Sequence, residues 1–189
     1  MKTPAPRTST TDPLKIASLT LGHQGGRVGL TLCPGKHARS LLAGPPWARD
    51  LSADVQAIKE WGGMAVLTLI EPEELLALQV ADLGAVVRSA GMVWHHQPIC
   101  DGHTPDALFM RQWPALRSDL LGQVRQGGSV VVHCRGGLGR AGTVAALLAI
   151  ETGIEPAAAI EAVRAVRPGA IETAAQEAFV RAYQAATWS

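Results

Sequence analysis

The segment His133-Cys134-Arg135-Gly136-Gly137-Leu138-Gly139-Arg140 places one Cys and, six residues later, one Arg at the two ends of a glycine-rich loop. An apolar run over residues 129–132 precedes it, and a second apolar run over residues 143–150 follows, so a strand feeds the loop and the loop feeds a helix. Backbone N–H groups of such a loop point inward and bind anions, and the helix dipole adds to the attraction. Gly136, Gly137 and Gly139 permit the backbone angles that this nest needs, with Arg135 and Leu138 completing it. The same positive field favours the thiolate form of a Cys at its floor. Arg140 adds a planar cationic fork that can hold two oxygens of a phosphoryl group. The chemistry these types and spacings support is displacement at phosphorus through a covalent phosphocysteine, with Cys134 as nucleophile. His133 reads as a residue that tunes the loop from behind by hydrogen bonding. A buried Cys in an ordinary strand-to-helix turn is the plain alternative. The preceding His, the three glycines and the closing Arg together weigh against it.

A departing alkoxide or phenoxide needs a proton, which a carboxylic acid on a closing loop can deliver. Asp101 and Asp106 compete for that role. Thr104-Pro105-Asp106 reads as a helix start, with Thr104 as N-cap, Pro at the first position and Asp106 in the first turn. Asp101, between Cys100 and Gly102, has no such duty beyond that of a turn aspartate, and it is the acid candidate.

The loop resembles the phosphate-binding loop of the cysteine-dependent protein tyrosine and dual-specificity phosphatases, and within them the kinase-associated phosphatase group. The likeness is carried by His95-His96-Gln97-Pro98-Ile99-Cys100-Asp101-Gly102-His103-Thr104-Pro105-Asp106, by the segment from His133 to Arg140, and by Gly169-Ala170-Ile171-Glu172-Thr173-Ala174-Ala175-Gln176. It extends over about residues 14–183 and is looser before His95. The resemblance implies Asp101 as general acid on a mobile loop and Gln176 as a residue that positions the attacking water. It implies no metal or organic cofactor, a phosphoprotein as substrate and a protein kinase as a class of partner. It does not establish a cyclin-dependent kinase as that partner. Two departures stand out. Ala141 occupies the place where many members carry a Ser or Thr that helps the thiolate leave, with Thr143 two residues beyond as a doubtful substitute. Glu172 stands where tyrosine-specific relatives have a Gln. A carboxylate there would repel phosphate oxygens while still able to orient water, and an ordinary helix-start Glu is the plain alternative.

The elements that must position these residues alternate. Strands are expected over residues 16–21 and 28–32 as a hairpin, then over 65–70, 92–97 and 129–132. Helices are expected over 51–61 with Ser52 as N-cap, 71–78, 79–90, 104–125 with Pro114 inside, 142–152, 156–166 and 172–186. Turns fall at Cys33-Pro34-Gly35-Lys36 and Gly44-Pro45-Pro46. This order predicts a single-domain α/β fold of the phosphotyrosine-phosphatase type, with a central, mostly parallel sheet flanked by helices and an antiparallel hairpin at one side. The Asp101 and Cys134 loops both leave carboxyl ends of strands, where ligand sites of such folds lie.

With 189 residues, 47% hydrophobic content and mean hydropathy +0.13, the chain suits one globular catalytic domain over residues 14–189. The polar, Pro/Thr-rich residues 1–13 read as a disordered tail without the apolar stretch of a signal peptide. A net charge of +1 gives no argument for nucleic acid, and no apolar run approaches a membrane span. Three cysteines at unrelated spacings suggest no disulfide framework, and a cytoplasmic location is expected. Cys33 and Cys100 read as incidental thiols, with a redox link from Cys100 to Cys134 as the weaker alternative. His95, His96, Cys100 and His103 match no standard zinc spacing. Lys36 and Arg39 are read as solvated surface in preference to substrate contacts. The rival readings are a phosphoinositide or other small-molecule phosphatase, a phospho-binding module docking a kinase, and a sulfur-transfer or redox enzyme. The loop interior offers Arg135 but no lysine, which ranks the lipid-phosphate reading lower.

Overall fold

The computed structural model describes residues 4–21, 24–39 and 44–185. Its core is a sheet in the order β1-β2-β7-β5-β6. The hairpin of β1 (Ala17–Thr20) and β2 (Arg27–Thr31) is antiparallel and stands at one side. A separate short ribbon joins β3 (His37–Ala38) and β4 (Trp47–Ala48). Strands β5 (Gly63–Thr68), β6 (Val93–His96) and β7 (Ser129–His133) run parallel to one another, and β7 also runs parallel to β2. The mostly parallel α/β sheet expected from the sequence is therefore present. Strand β7 is central and wholly buried, which explains its unbroken Val130-Val131-Val132 run.

Helix α1 (Leu51–Glu60) buries Asp54, Val55 and Ile58. It starts on Asp50, whose carboxylate accepts the Ala53 N–H at 2.7 Å, and not on Ser52. Helices α2 (Pro72–Ala77) and α3 (Leu83–Ser89) follow β5. The second begins four residues later than expected, because Gln79 adopts a left-handed φ of 59° and breaks the run. Helix α4 (Ala107–Arg125) passes unbroken through Pro114 and buries the stripe Phe109, Trp113, Leu116, Leu120 and Val124. Its N-cap is Asp106, which accepts the Phe109 N–H at 2.7 Å, so Thr104 is not the cap.

Helix α5 (Gly139–Ile150) is buried along its whole length and starts three residues earlier than expected, so Arg140 belongs to its first turn. It packs on β2, β7, α6 (Pro156–Val166) and α7 (Ala174–Ala182), while α1 and α3 pack on each other near β5 and β6. Part of the segment read as a disordered tail, residues 4–13, is described and lies along β4. Arg7 exchanges backbone hydrogen bonds with Pro46 and Ala48, and its guanidinium stacks over Trp47 at 4.8 Å. Arg49 then donates to the Asp12 carbonyl at 2.7 Å. A polar composition therefore did not prevent anchoring through the backbone. Residues 1–3 of that expected tail, and residues 186–189, lie outside the described residues.

Candidate active site

The loop from Cys134 to Arg140 leaves the carboxyl end of β7 and enters α5. Cys134 is 3% exposed, and the Gly137 N–H donates to its Sγ at 3.3 Å. Gly137 has φ +73°, and a Cβ there would meet the Thr31 carbonyl at 2.3 Å. Only glycine therefore lets the loop close onto β2. The outward carbonyls of the loop are held in sequence. Lys36 Nζ donates to Arg135 O at 3.2 Å, and Arg167 donates to Gly136 O and Gly137 O at 3.0 and 3.1 Å. With its carbonyls tied outward, the loop keeps N–H groups for the inner side. Neither cation was assigned to the loop from sequence. Lys36 is 7% exposed, which corrects its reading as solvated surface: the turn at residues 33–36 folds it back under β4.

His133 is fully buried between Thr31 and Thr68 on the neighbouring strands. The Trp94 indole N–H donates to Thr68 Oγ1 at 2.8 Å, leaving the hydroxyl proton for His133 Nε2, also at 2.8 Å. That assigns the ring proton to Nδ1, which donates to Cys134 O at 3.3 Å. Burial pushes the imidazole down to about 4, so it is neutral at physiological pH. His133 supports the loop from behind, as its place in the sequence suggested.

Arg140 is 1% exposed. Its Nη1 and Nη2 donate to Glu74 at 2.5 and 3.0 Å, and Nη1 also donates to Ile99 O at 3.0 Å. Nη2 lies 2.8 Å from Asp101 Oδ1. Its Nε is buried and has no partner among the described residues. Burial opposes the guanidinium charge, but the Glu74 hydrogen bonds and nearby negative charges outweigh it and raise the Arg140 pKa. Burial likewise opposes the Glu74 carboxylate, and its bonds to Arg140 outweigh that and lower its pKa. Glu74 was not foreseen from sequence, because its partner lies 66 residues away.

Asp101 sits on the loop between β6 and α4 with its side chain 66% exposed. That loop is pinned by Gln176, whose Nε2 donates to His103 O at 3.1 Å while its Oε1 accepts the Thr173 N–H at 3.2 Å. Gln176 is 1% exposed, so both ends of its amide are committed to holding the acid loop and capping α7. Glu172 is exposed, and one of its oxygens accepts the Gly139 N–H at 2.7 Å, at the mouth of the loop. Ala141 is buried, and Thr143 Oγ1 donates to Gly139 O at 2.9 Å, which commits that hydroxyl to the helix backbone. Among the described residues, no group of three or more His, Cys, Asp or Glu is arranged to hold a metal ion. His96 instead bonds Ile70 O, and His103 bonds Asp101 O. All three cysteines are free, with Cys33 and Cys134 buried and Cys100 exposed. None of the helices of the described residues is long and apolar enough to cross a membrane.

A parallel α/β sheet whose central strand delivers a cysteine to a glycine-rich anion loop, closed by a buried arginine, defines a scaffold of the cysteine-phosphatase type. A family model described as "Swiss Army Knife protein, DSP-PTPase phosphatase domain" matches residues 50–180, and the chain belongs to this phosphatase family. It is 31% identical over 177 residues to cyclin-dependent kinase inhibitor 3 of Rattus norvegicus, covering 91% of this chain and 79% of that protein. It is also 31% identical over 144 residues to protein tyrosine phosphatase type IVA 3 of Homo sapiens, covering 73% and 75%. Among solved structures, it matches kinase associated phosphatase carrying serine for its catalytic-site cysteine. The TM-score is 0.75 and the identity 26%, over 88% of this chain and 92% of that one.

Proposed function

We propose that this chain hydrolyses phosphomonoesters on phosphoprotein, on phosphotyrosine or phosphoserine/phosphothreonine, through a phosphocysteine intermediate. The observation that carries the reading is the Arg140 guanidinium. Its Nε is buried without a partner among the described residues, its Nη2 touches Asp101, and it closes the loop that starts at Cys134. Phosphoryl oxygens take the Nε–Nη2 edge and the N–H groups of residues 135–140, displacing the Asp101 carboxylate from Nη2. The Cys134 thiolate forms the S–P bond as the ester P–O bond breaks, and protonated Asp101 gives its proton to the leaving oxygen. Water then forms a new P–O bond as the S–P bond breaks, its proton passes to the Asp101 carboxylate, and the thiolate is restored with release of inorganic phosphate. Gln176 holds the acid loop in place, and Glu172, whose second oxygen has no partner among the described residues, is the group left to orient that water. The established catalytic-site cysteine of kinase associated phosphatase supports the role given to Cys134.

The test is hydrolysis of p-nitrophenyl phosphate with chelator present. Wild type turns over, Cys134→Ser does not, and Asp101→Asn is slowed. A wild type that binds vanadate without turnover would replace the reading with a phospho-binding module.

The commitment of the Thr143 hydroxyl to Gly139 O favours a second statement about rate. With Ala141 in place and no hydroxyl to assist the departing thiolate, breakdown of the phosphocysteine limits turnover. Rapid mixing of wild type gives a product burst, and Ala141→Ser raises the steady rate and shrinks the burst. A linear start in wild type rejects this.

A further inference from the structure

Beside the acid loop, on the side of α2 and α4, lies a cavity of about 220 Å³. Pro72, Pro98, Leu108 and Phe109 supply apolar walls, and Glu71 and Asp106 are its charged residues. No lysine, arginine or histidine lines it. Neither carboxylate is paired with a cation among the described residues. Asp106 spends Oδ1 on the Phe109 N–H, which leaves Oδ2 for another donor. Gln97 Nε2 donates to Gln112 Oε1, and the Gln97 carbonyl oxygen has no partner among the described residues. The walls are therefore apolar, and the polar groups set among them are rich in acceptors.

The cavity shares its loop with the site. Ile99 O and the Asp101 carboxylate both reach Arg140, while Pro98 and Cys100, the residues that alternate with them, line the cavity. Helix α2 is shared in the same way: Glu74 holds Arg140, and Pro72 lines the cavity. Extended chain advances about 3.3 Å per residue, so a peptide with its phosphate at Arg140 can place a side chain here within a few residues.

We propose, building on the phosphatase reading, that this cavity takes the side chain of an arginine close in sequence to the phosphorylated residue of the substrate. Its aliphatic stem lies on the Pro and Leu walls, and its guanidinium meets Glu71, Asp106 and the Gln97 carbonyl oxygen. A planar cation with five donors suits such a set of acceptors. A basic peptide is favoured over a membrane surface, although Leu108 is 52% exposed at the rim, because the two carboxylates repel anionic headgroups.

The experiment moves one arginine through the positions on either side of the phosphorylated residue in an otherwise uncharged peptide. It uses a phosphotyrosine and a phosphothreonine series, each with an all-alanine reference. Wild type favours arginine at a particular position by about fivefold in kcat/KM over the reference, and the gain shrinks in about 0.5 M salt. Norleucine at that position, a stem without the charge, gains less. Glu71→Gln removes a charge, and Leu108→Lys adds a cation at the exposed rim. Each brings the ratio of the two peptides close to one, and any change in overall activity cancels in that ratio. Calorimetric binding to the Cys134→Ser protein reads the same preference without turnover. Equal binding of all the peptides overturns the subsite, as does a preference that survives both substitutions. Norleucine that matches arginine overturns the choice of a cation. If wild type leaves every peptide and p-nitrophenyl phosphate intact while the binding preference holds, the phosphatase reading fails and the subsite stands.

Discussion

Arg140 carries more of the site than its position at the end of a motif suggests. Its guanidinium answers to Glu74 on one side and Asp101 on another, with Nε left over. Glu74 fixes the plane of the fork, so that the Nε–Nη2 edge is presented to phosphate before substrate arrives. Glu74→Gln keeps the shape but loses the charge-assisted bonds that hold this plane. The expected outcome is a loss of about 10- to 100-fold in kcat/KM for p-nitrophenyl phosphate, with the far-ultraviolet spectrum unchanged. An unchanged kcat/KM would show that Arg140 orients itself. Glu172 acts in the opposite direction. Its carboxylate occupies the Gly139 N–H, a donor that phosphate also wants, and repels an arriving dianion. Glu172→Gln therefore lowers the inhibition constant of inorganic phosphate by about three- to tenfold, of the order of 1 kcal/mol. Inhibition that stays the same would place Glu172 away from the bound anion.

At the scale of elements, the acid loop is tied down by two helix termini on its α4 side. Asp106 caps α4 just after it, and Gln176 in the first turn of α7 grips His103 within it. Replacing Asp106 by Ala leaves the Phe109 N–H unsatisfied and costs about 1 kcal/mol, read as a shifted midpoint in urea denaturation. A smaller shift than a few tenths of a kcal/mol would mean that Thr104 takes over the cap. The elements themselves were legible from periodicity and punctuation: the Val130-Val131-Val132 strand, the antiparallel pair of β1 and β2, and the glycine loop entering an apolar helix. The caps were less so. Ser52 and Thr104 are good cap formers two residues from Asp50 and Asp106, and local preference does not rank such neighbours. The long-range partners were illegible. Glu74 reads as one first-turn glutamate among several, Lys36 as a turn lysine, and Arg167 as a helix-end cation. Each gains its role only when folding brings it to the cysteine loop.

The molecule as a whole stores one acid-sensitive element at its centre. The chain Trp94–Thr68–His133–Cys134 O crosses from β6 through β5 to β7, and ends on the catalytic loop. Burial holds the His133 imidazole neutral down to about 4, while the unfolded chain protonates it near 6.5. Between those values the unfolded state binds the extra proton, so stability falls as pH drops through that window, by roughly 3 kcal/mol in all. Above 6.5 both states are neutral, and below about 4 both are protonated, so the effect of this group is confined to the window. Glu74, with its carboxyl pKa lowered in the fold, extends the loss toward lower pH, since its stabilisation disappears as the folded carboxylate takes up a proton. Burial also holds the His95 imidazole below its usual range and adds to the slope, so the share of His133 is isolated by substitution. His133→Asn keeps an N–H for Cys134 O and removes the titration. That variant is less stable at neutral pH, because Thr68 loses its partner, yet its denaturation midpoint changes less between pH 6.5 and 4 than that of wild type. Parallel pH profiles for the two proteins would mean that the sheet centre opens before His133 protonates, and that the acid sensitivity arises elsewhere.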